Sequence, residues 1–263
     1  MTVWSDGLAV GSGGLVGFSL GLIGGGGSIL ATPLLLYVVG LSPPHLAIGT
    51  GALAVAANAF MNFTNYARSG TVRWRNALVF AVVGSIGAFA GSSVGKVING
   101  DGLLFVFGLL MLLVGGLMLK AKPSTPVTNS DQNGRPWVPE LTALAVGLAS
   151  GFFGIGGGFL IVPGLIFATG MPMINAIGTS LLAVGAFGLT TALNYALSGL
   201  VDWKVAAEFI FGGFVGGLIG MRLANHLLQF KSALDIVFAS LIFVVAVYIL
   251  YRSGQSLFSQ RSW

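Results

Sequence analysis

The sequence contains no cysteine, only two histidines and few charges, since Asp, Glu, Lys and Arg together make up 7% of its 263 residues. The lack of cysteine excludes disulfides, thiol chemistry and cysteine-based metal sites. A soluble domain carries about one quarter charged residues, so the scarcity of charge excludes an ordinary soluble domain. Hydrophobic residues instead make up 55% of the chain. They stand in continuous runs rather than in alternation, which predicts membrane-spanning helices.

The residues that catalysis and metal binding require are also scarce. No paired carboxylates, metal-ligand spacing or Ser/His/Asp set can be assembled, so we expect neither an enzyme nor a bound metal or cofactor. The twelve basic residues are scattered along the chain. This distribution excludes the basic stripe that is typical of nucleic-acid binding.

A glycine-rich motif occurs twice at a fixed spacing. Gly24–Ser28 interrupts an apolar run that continues to Pro33, and Gly154–Gly158 interrupts another that continues to Pro163, 130 positions later. Further segments recur 129 positions apart, namely Ala47–Thr50 as Ala176–Thr179, Asn65–Ala67 as Asn194–Ala196, and Val72 and Trp74 as Val201 and Trp203. The chain is therefore predicted to be a duplication, with a membrane repeat at 1–120, a linker at 121–139 and a second membrane repeat at 140–263.

Eight long apolar stretches divide evenly between the two repeats. They lie near 8–39, 47–67, 75–97, 102–120, 141–170, 175–197, 204–225 and 233–252. At about 20 residues per span, the chain accommodates about eight helices. The predicted fold class is an all-α polytopic membrane protein of about eight transmembrane helices, built from a duplicated four-helix unit with a glycine-broken helix opening each half.

Basic residues predict the orientation of the chain in the membrane. If all eight stretches cross, one side receives nine Lys or Arg residues and the other receives three, which are Lys96, Arg222 and Lys231. The richer side is cytoplasmic by the positive-inside rule, which places both termini and the linker in the cytoplasm. Met1–Asp6 contains no Lys or Arg, so we expect no cleavable signal peptide.

The length of the glycine-broken stretches leaves a second topology open. Each is about 30 residues, or about 45 Å as a straight helix, against a hydrocarbon core of about 30 Å. Either each stretch is one discontinuous crossing, which makes the repeats parallel, or it is a re-entrant pair of half-helices folded back at the glycines. The re-entrant arrangement leaves three crossings per half and makes the repeats inverted. It splits the basic residues about eight to four, so the charge distribution favours crossing.

The glycine motifs are the first candidate binding site. Backbone groups exposed within a bilayer are tolerated only where they face protein or water. The half-helix that follows each motif presents free N–H groups and a positive dipole end, which together bind an anion. The alternative is that the glycines only permit close helix packing, but their duplication favours a site. The candidate residues are Gly25, Gly26, Gly27 and Ser28 in the first motif and Gly156, Gly157 and Gly158 in the second.

A polar helix face is the second candidate wall. Asn58, Asn62 and Asn65 are spaced by four and three residues, so they share one helical face, which should point inward because amides are costly in lipid. The alternative is hydrogen bonding between helices, worth about 0.6 kcal/mol per contact in membranes. The binding residues predicted here are Asn58, Asn62, Asn65 and Tyr66, with Asn194 and Tyr195 from the second repeat.

Two single residues have a structural and a functional interpretation. Thr179 lies near the start of a span, where its hydroxyl either caps the helix or faces the ligand. Glu208 is the acidic residue that reaches into a span. It either forms an ion pair with Lys204, four residues before it on the same helical face, or couples transport to protons.

Glycines at intervals of four form small helix faces in both repeats. Such faces let helices approach closely, and they also offer a surface for a homo-oligomer. The residues concerned are Gly87, Gly91 and Gly95 in the first half and Gly212, Gly216 and Gly220 in the second.

The duplicated motifs resemble a known family. The glycine-rich motif leading to Pro33, the Ala-Ile-Gly-Thr and Asn-Tyr segments and the Gly-x-Val-x-Trp turn, with their repetition, resemble the sulfite exporter TauE/SafE family of membrane permeases. The resemblance covers nearly the whole chain and is weakest across the linker. It implies a bacterial or archaeal inner-membrane protein of about eight helices that handles sulfite or sulfur-containing organic anions. Gly25 is matched by Ile155 and Ser28 by Gly158, so the two half-sites differ chemically.

These features predict a secondary transporter that moves sulfite or small organosulfur and sulfonate anions across the inner membrane. The anion is held by helix N-termini at the two glycine motifs. The alternative is an anion-binding membrane channel or sensor component without coupled transport. The expected partners are the small anion, the lipid bilayer and a second copy of the chain, and no nucleic acid is expected.

Overall fold

The computed structural model describes residues 3–120, 137–154, 158–227 and 243–251, and every regular element in these ranges is a helix. The first repeat contains α1 (Val3–Ile23), a 3₁₀ segment (Gly24–Leu30), α2 (Ala31–Tyr37), α3 (Pro44–Arg68), α4 (Trp74–Gly95) and α5 (Gly100–Lys120). The second repeat contains α6 (Val138–Phe153), α7 (Gly158–Thr169), α8 (Met173–Ala196), α9 (Trp203–Leu227) and α10 (243–251). The prediction of a helical chain is confirmed for these ranges.

Within the described residues, five helices are long and apolar enough to cross a membrane, namely Ser5–Ile23, Pro44–Arg68, Trp74–Gly95, Met173–Ala196 and Trp203–Ala224. The shorter apolar helices there are Gly27–Tyr37, Gly102–Leu113, Val138–Phe153 and Gly158–Thr169. The outer faces of α4 and α9 expose large apolar side chains, such as Ile86 at 65% and Phe211 at 66%, which suits contact with lipid. The chain is therefore a multi-pass membrane protein, with fewer full-length spans in these ranges than the eight expected.

Helices that the sequence repeat relates to one another make matching contacts. α1 packs along α9, and α6, the equivalent of α1, packs along α4, the equivalent of α9. Gly17 lies against Gly213 in the first pair, and Gly147 lies against Gly84 in the second. Both residues of the second contact are the repeat equivalents of those in the first. Each half thus packs its opening helix against the other half.

Equivalent helices run in opposite directions. Near the start of α3, Gly49 lies against Tyr195 at the end of α8, and near the end of α3, Tyr66 lies against Gly178 at the start of α8. Since α3 and α8 are repeat equivalents and cross antiparallel, the repeats are inverted. The parallel repeats favoured by the charge distribution are wrong, and the inversion is the one that the re-entrant alternative predicts.

The inversion follows from a reversal of the chain after α1. Gly13, Gly17 and Gly21 of α1 meet α9 in rising order, so these helices are parallel. Asn58 and Asn62 of α3 meet α9 in rising order as well, so α1 and α3 run in the same direction. The segment between α1 and α3 must therefore lead back. It begins at Gly24, whose φ of +70° is left-handed, a conformation that glycine adopts without steric cost.

The regularly spaced glycines of α4 and α9 act in packing, as predicted. A Cβ on Gly91 would lie 2.8 Å from Phe152 N of α6, and one on Gly216 would lie 2.9 Å from Phe18 N of α1. Neither position has room for a side chain, so both glycines set the distance between helices. These faces are occupied within one chain and are not available to a second copy. The homo-oligomer stays a prediction, but these glycine faces do not supply its interface.

Candidate functional site

The two glycine motifs meet each other inside the protein. A Cβ on Gly25 would lie 2.8 Å from Gly158 Cα, so the absence of side chains allows the two backbones to touch. Gly158 N donates a hydrogen bond to Ser28 Oγ at 3.2 Å, across the boundary between the halves. Both segments follow a glycine of positive φ, Gly24 at +70° and Gly154 at +66°, and Gly154 ends α6 as a left-handed C-cap.

Two of the N–H groups predicted to bind an anion already have partners. Gly25 N donates to Ser180 Oγ at 3.3 Å, while Gly158 N donates to Ser28 Oγ. Ser28, predicted as an extra donor, is fully buried and donates its own hydroxyl to Gly25 O at 2.9 Å. The contact between the motifs is therefore closed by two serine hydroxyls. An anion must displace them in order to reach these backbone groups.

The remaining glycines of the motifs are placed differently. Gly27 lies against the backbone of Ser19 and Leu20 in α1, so it allows the chain to pack back on α1, and its role in binding stays a prediction. Gly26 belongs to the same 3₁₀ segment. Gly156 and Gly157 lie outside the described residues.

Thr179 and its repeat equivalent Thr50 form a reciprocal pair of contacts between the halves. Arg73 N, just before α4, donates to Thr179 Oγ1 at 3.0 Å. Asp202 N, just before α9, donates to Thr50 Oγ1 at 2.9 Å. Each hydroxyl thus satisfies a backbone N–H next to the start of a helix in the other repeat. Thr179 accepts this bond beside α4 instead of capping α8, and its hydroxyl is engaged in fixing the two halves together.

A ladder of polar side chains on α3 follows the contact line between α1 and α9. It consists of Asn58, Asn62 and Tyr66, which are all buried. Asn62 Nδ2 donates to Asn58 O at 3.0 Å, and Tyr66 Oη donates to Gly21 O at 2.9 Å. Gly21 lies three residues before the reversal at Gly24. The ladder therefore leads along α3 to the first glycine motif, which places three predicted site residues on one path.

The Asn58 amide differs from the rest of the ladder. The side chain is fully buried against Gly213 of α9. Neither its Nδ2 nor its Oδ1 has a hydrogen-bond partner among the described residues. A buried amide without partners is costly, so this residue needs a reason beyond packing.

Asn65 does not share the inward face that the spacing predicted. It is only partly buried, and its Nδ2 donates to Met61 O at 3.4 Å, one turn back on its own helix. The physical reason is that α3 ends at Arg68, so Asn65 lies in the last turn, where an amide reaches the helix end without crossing lipid. Tyr66 occupies the inward position instead.

The equivalent residues of the second repeat have different surroundings. Asn194 Nδ2 donates to Ser92 Oγ at 2.6 Å and to Ser93 Oγ at 3.0 Å, and its Oδ1 accepts from Lys96 Nζ at 2.8 Å. Tyr195 is fully buried, and its Oη has no hydrogen-bond partner among the described residues. The Asn194 amide is thus fixed by α4, whereas the Tyr195 hydroxyl remains available.

Lys96 contacts the predicted site residues Asn194 and Tyr195, although the sequence did not indicate it as a site residue. Its Nζ donates to Asn194 O at 3.0 Å and to Ser198 Oγ at 3.0 Å, in addition to Asn194 Oδ1. Lys96 Nζ also lies 5.9 Å from the centre of the Tyr195 ring. The centre of that ring lies 6.2 Å from the centre of the His45 ring. In the sequence, its position at the end of an apolar stretch indicated only membrane orientation.

Glu208 forms the ion pair that its spacing indicated. Its Oε1 lies 3.5 Å from Lys204 Nζ, which also contacts Asp6 Oδ1 of α1 at 2.9 Å. Glu208 Oε2 is buried without a hydrogen-bond partner in the described structure, and its role in proton coupling stays a prediction. Across the described ranges, no three His, Cys, Asp or Glu side chains are grouped so that they could hold a metal ion.

Comparison with known proteins supplies the family. A family model described as sulfite exporter TauE/SafE matches residues 9–249. The chain is 57% identical over 259 residues to a probable membrane transporter protein of Xylella fastidiosa (strain 9a5c), covering 98% of this chain and 99% of the relative. It is 30% identical over 255 residues to the probable membrane transporter protein YunE of Bacillus subtilis (strain 168), covering 88% and 93%.

A plant protein also matches part of the chain. The sulfite exporter TauE/SafE family protein 5 of Arabidopsis thaliana is 38% identical over 114 residues, which cover 43% of this chain and 25% of the relative. No solved structure matches. The match of the family model over nearly the whole chain decides the assignment. The chain belongs to the sulfite exporter TauE/SafE family of membrane transporters.

Proposed function

We propose that the protein is a secondary transporter that moves sulfite or small organosulfur anions, sulfonates included, across the inner membrane. Its family supports membrane transport. The observation that carries the proposal is the bond from Gly158 N to Ser28 Oγ, which joins the two glycine motifs. Broken helices at corresponding positions of two halves mark the substrate site in many secondary transporters.

The inverted packing supports a specific topology. We infer that each half opens with a pair of helices that turns back at the glycine motif, α1 with α2 or α6 with α7, and continues with three crossings. Since equivalent helices are antiparallel, α1 and α6 begin at opposite ends of the protein. We therefore propose that the linker, which precedes α6, lies opposite the N-terminus, in place of the shared cytoplasmic side that the charge distribution predicted. The basic residues split about eight to four, with the richer end at the linker, so we place the linker in the cytoplasm.

The anion site lies where the two glycine motifs touch. Its donors are N–H groups of the 3₁₀ segment and of the first turn of α7, together with the hydroxyls of Ser28 and Ser180. In the closed contact these groups bond to each other. A small oxyanion with several acceptor oxygens replaces those bonds when it enters. Binding therefore requires the two motifs to separate, which couples occupancy of the site to a movement between the halves.

Counterflow in proteoliposomes tests this function. Vesicles that contain the purified protein are loaded with unlabelled sulfite and diluted into labelled sulfite, with protein-free vesicles as the control. A carrier accumulates label faster when unlabelled sulfite is present inside, and a neutral sulfone of similar size does not compete. Uptake that is the same with and without internal sulfite indicates the channel alternative. Uptake no faster than in protein-free vesicles, for sulfite and for sulfonates, contradicts the proposal.

A further inference from the structure

The repeat shows what packing alone requires at the position of Asn58. Its equivalent in the second half is Phe187, which lies against Gly84 of α4 as Asn58 lies against Gly213 of α9. Both side chains are fully buried. Since one of two equivalent places packs an apolar ring, the fold does not need an amide at the other.

The Asn58 amide also lacks the partners that would make it a structural hydrogen-bonding group. Leaving a buried donor or acceptor unpaired destabilises the folded protein, and both Asn58 Nδ2 and Oδ1 are unpaired among the described residues. Its neighbour Asn62 bonds to the backbone oxygen of Asn58 and leaves the Asn58 side chain unsatisfied. A ligand that supplies both a donor and an acceptor would satisfy it.

The location of Asn58 connects it to the proposed anion site. Gly213 of α9 lies between Asn58 of α3 and Gly17 of α1. Three helices therefore meet there, and two of them contribute a glycine to the contact. Gly17 is seven residues before Gly24, or about 10 Å along the helix. A movement of α1 that separates the glycine motifs therefore also opens the contact of Gly17 with Gly213, the residue on which the Asn58 amide packs.

The chemistry of the amide selects among the candidate anions. An amide presents one donor and one acceptor side by side, which match an oxyacid group that carries both an acceptor oxygen and an O–H. A sulfonate or a fully deprotonated oxyanion presents acceptors only, and it leaves Oδ1 unpaired. We propose that Asn58 recognises the anion in its singly protonated form, so that hydrogen sulfite is preferred to the sulfite dianion and to sulfonates. This inference rests on the proposed anion transport.

The experiment must distinguish protonation of the ligand from protonation of a nearby side chain, because either could make binding depend on pH. On the helices packed around Asn58, the titratable side chains nearest along each helix are Glu208 on α9, Tyr66 on α3, Tyr195 on α8 and Asp6 on α1. Glu208 lies five residues before Gly213 and is the proton-coupling candidate. The variant Glu208→Gln replaces the carboxyl group with an amide of nearly the same shape, which does not take up or release a proton.

Binding titrations on the purified full chain test the inference. Total sulfite and methanesulfonate are titrated at pH 6 and pH 8 into wild type, Asn58→Leu, Glu208→Gln and the repeat-matched control Phe187→Leu. We expect wild type, Glu208→Gln and Phe187→Leu to bind sulfite more tightly at pH 6. In Asn58→Leu, sulfite binding at pH 6 should weaken about tenfold, the value of one hydrogen bond, and lose its pH dependence. Methanesulfonate, which accepts from Nδ2 but leaves Oδ1 unpaired, should lose less affinity in Asn58→Leu than sulfite does at pH 6.

Each other outcome decides against a defined part of the account. If Asn58→Leu weakens the binding of sulfite and methanesulfonate equally, or if sulfite binding keeps its pH dependence, Asn58 does not recognise the protonated form of the anion. The inference then fails, and the proposed transport function is unaffected. If Glu208→Gln removes the pH dependence, the proton belongs to Glu208 and the inference fails. If wild type binds neither anion, the proposed function fails and the inference with it. Asn58→Ala gives the same readout with a smaller side chain, should Leu impair folding.

Discussion

The dipeptide Asn-Tyr stands at the end of both α3 and α8, and the two copies are held in different ways. Tyr66 Oη donates to Gly21 O at the end of α1, whereas Tyr195 Oη has no partner among the described residues. Asn65 bonds within its own helix, whereas Asn194 is bound by α4. The first copy therefore connects the end of α3 to α1 through the tyrosine, and the second connects the end of α8 to α4 through the asparagine.

The difference arises from the partner helices. Asn194 meets Ser92, Ser93 and Lys96 at the end of α4, but the equivalent positions of α9 hold Met221, Arg222 and Asn225. The backbone contacts are conserved between the halves, as in the reciprocal bonds to Thr50 and Thr179. The comparison teaches that the duplication fixes how the halves pack, while side chains specialise each end.

The largest effect is expected where the halves touch. Gly25→Leu should abolish transport, because even a Cβ at this position would lie 2.8 Å from Gly158 Cα. The control is Gly11→Leu in the preceding helix α1, since no atom beyond its own helix backbone lies within 4 Å of a Cβ there. Counterflow at equal amounts of membrane protein measures both. Normal transport in Gly25→Leu would show that the motifs need not touch.

Lys96→Met should destabilise the Asn194 end by about 1.5–3 kcal/mol, the usual contribution of hydrogen bonds to a charged group. It removes three bonds, two to Asn194 and one to Ser198. Lys204→Met is the control, because the Lys204 side chain is 58% exposed and exposed ion pairs contribute little to stability. Thermal unfolding in detergent measures both. Equal losses in the two variants would mean that Lys96 is an ordinary surface lysine.

Tyr66→Phe and Tyr195→Phe should separate the two copies of the motif directly. Tyr66→Phe removes the bond to Gly21 O and should cost about 0.5–1.5 kcal/mol. Tyr195→Phe removes a buried hydroxyl that bonds to no described residue, so it should not lower the unfolding temperature. Equal destabilisation by both substitutions would show that the two ends are held alike.

The features that sequence could predict are those encoded by spacing. The duplicated glycines, the helices and the small packing faces follow from periodicity, and the place of Thr179 near the start of a span indicates it as a candidate. The contact of Lys96 with Asn194 joins positions 98 residues apart, and no local pattern records it. The spacing of Asn65 predicts an inward position, but an amide in the last turn of α3 reaches the helix end without entering lipid, so spacing alone does not fix its direction.

The direction of the repeats could not be read from charge. Splits of nine to three and about eight to four are too similar in free energy for the positive-inside rule to separate them. The deciding contacts are Gly49 with Tyr195 and Gly178 with Tyr66. They join segments more than 100 residues apart, and they become visible only when α3 and α8 are packed together.

The inverted arrangement of the two halves is tested most directly by single-cysteine labelling. Because the sequence contains no cysteine, Thr2→Cys and Ser130→Cys each give one thiol, just before α1 and within the linker. Whole cells are treated with a membrane-impermeant maleimide before and after permeabilisation of the inner membrane. The account predicts that Thr2→Cys reacts in intact cells and that Ser130→Cys reacts only after permeabilisation. Labelling of both thiols under the same condition would place the N-terminus and the linker on one side and contradict the inversion.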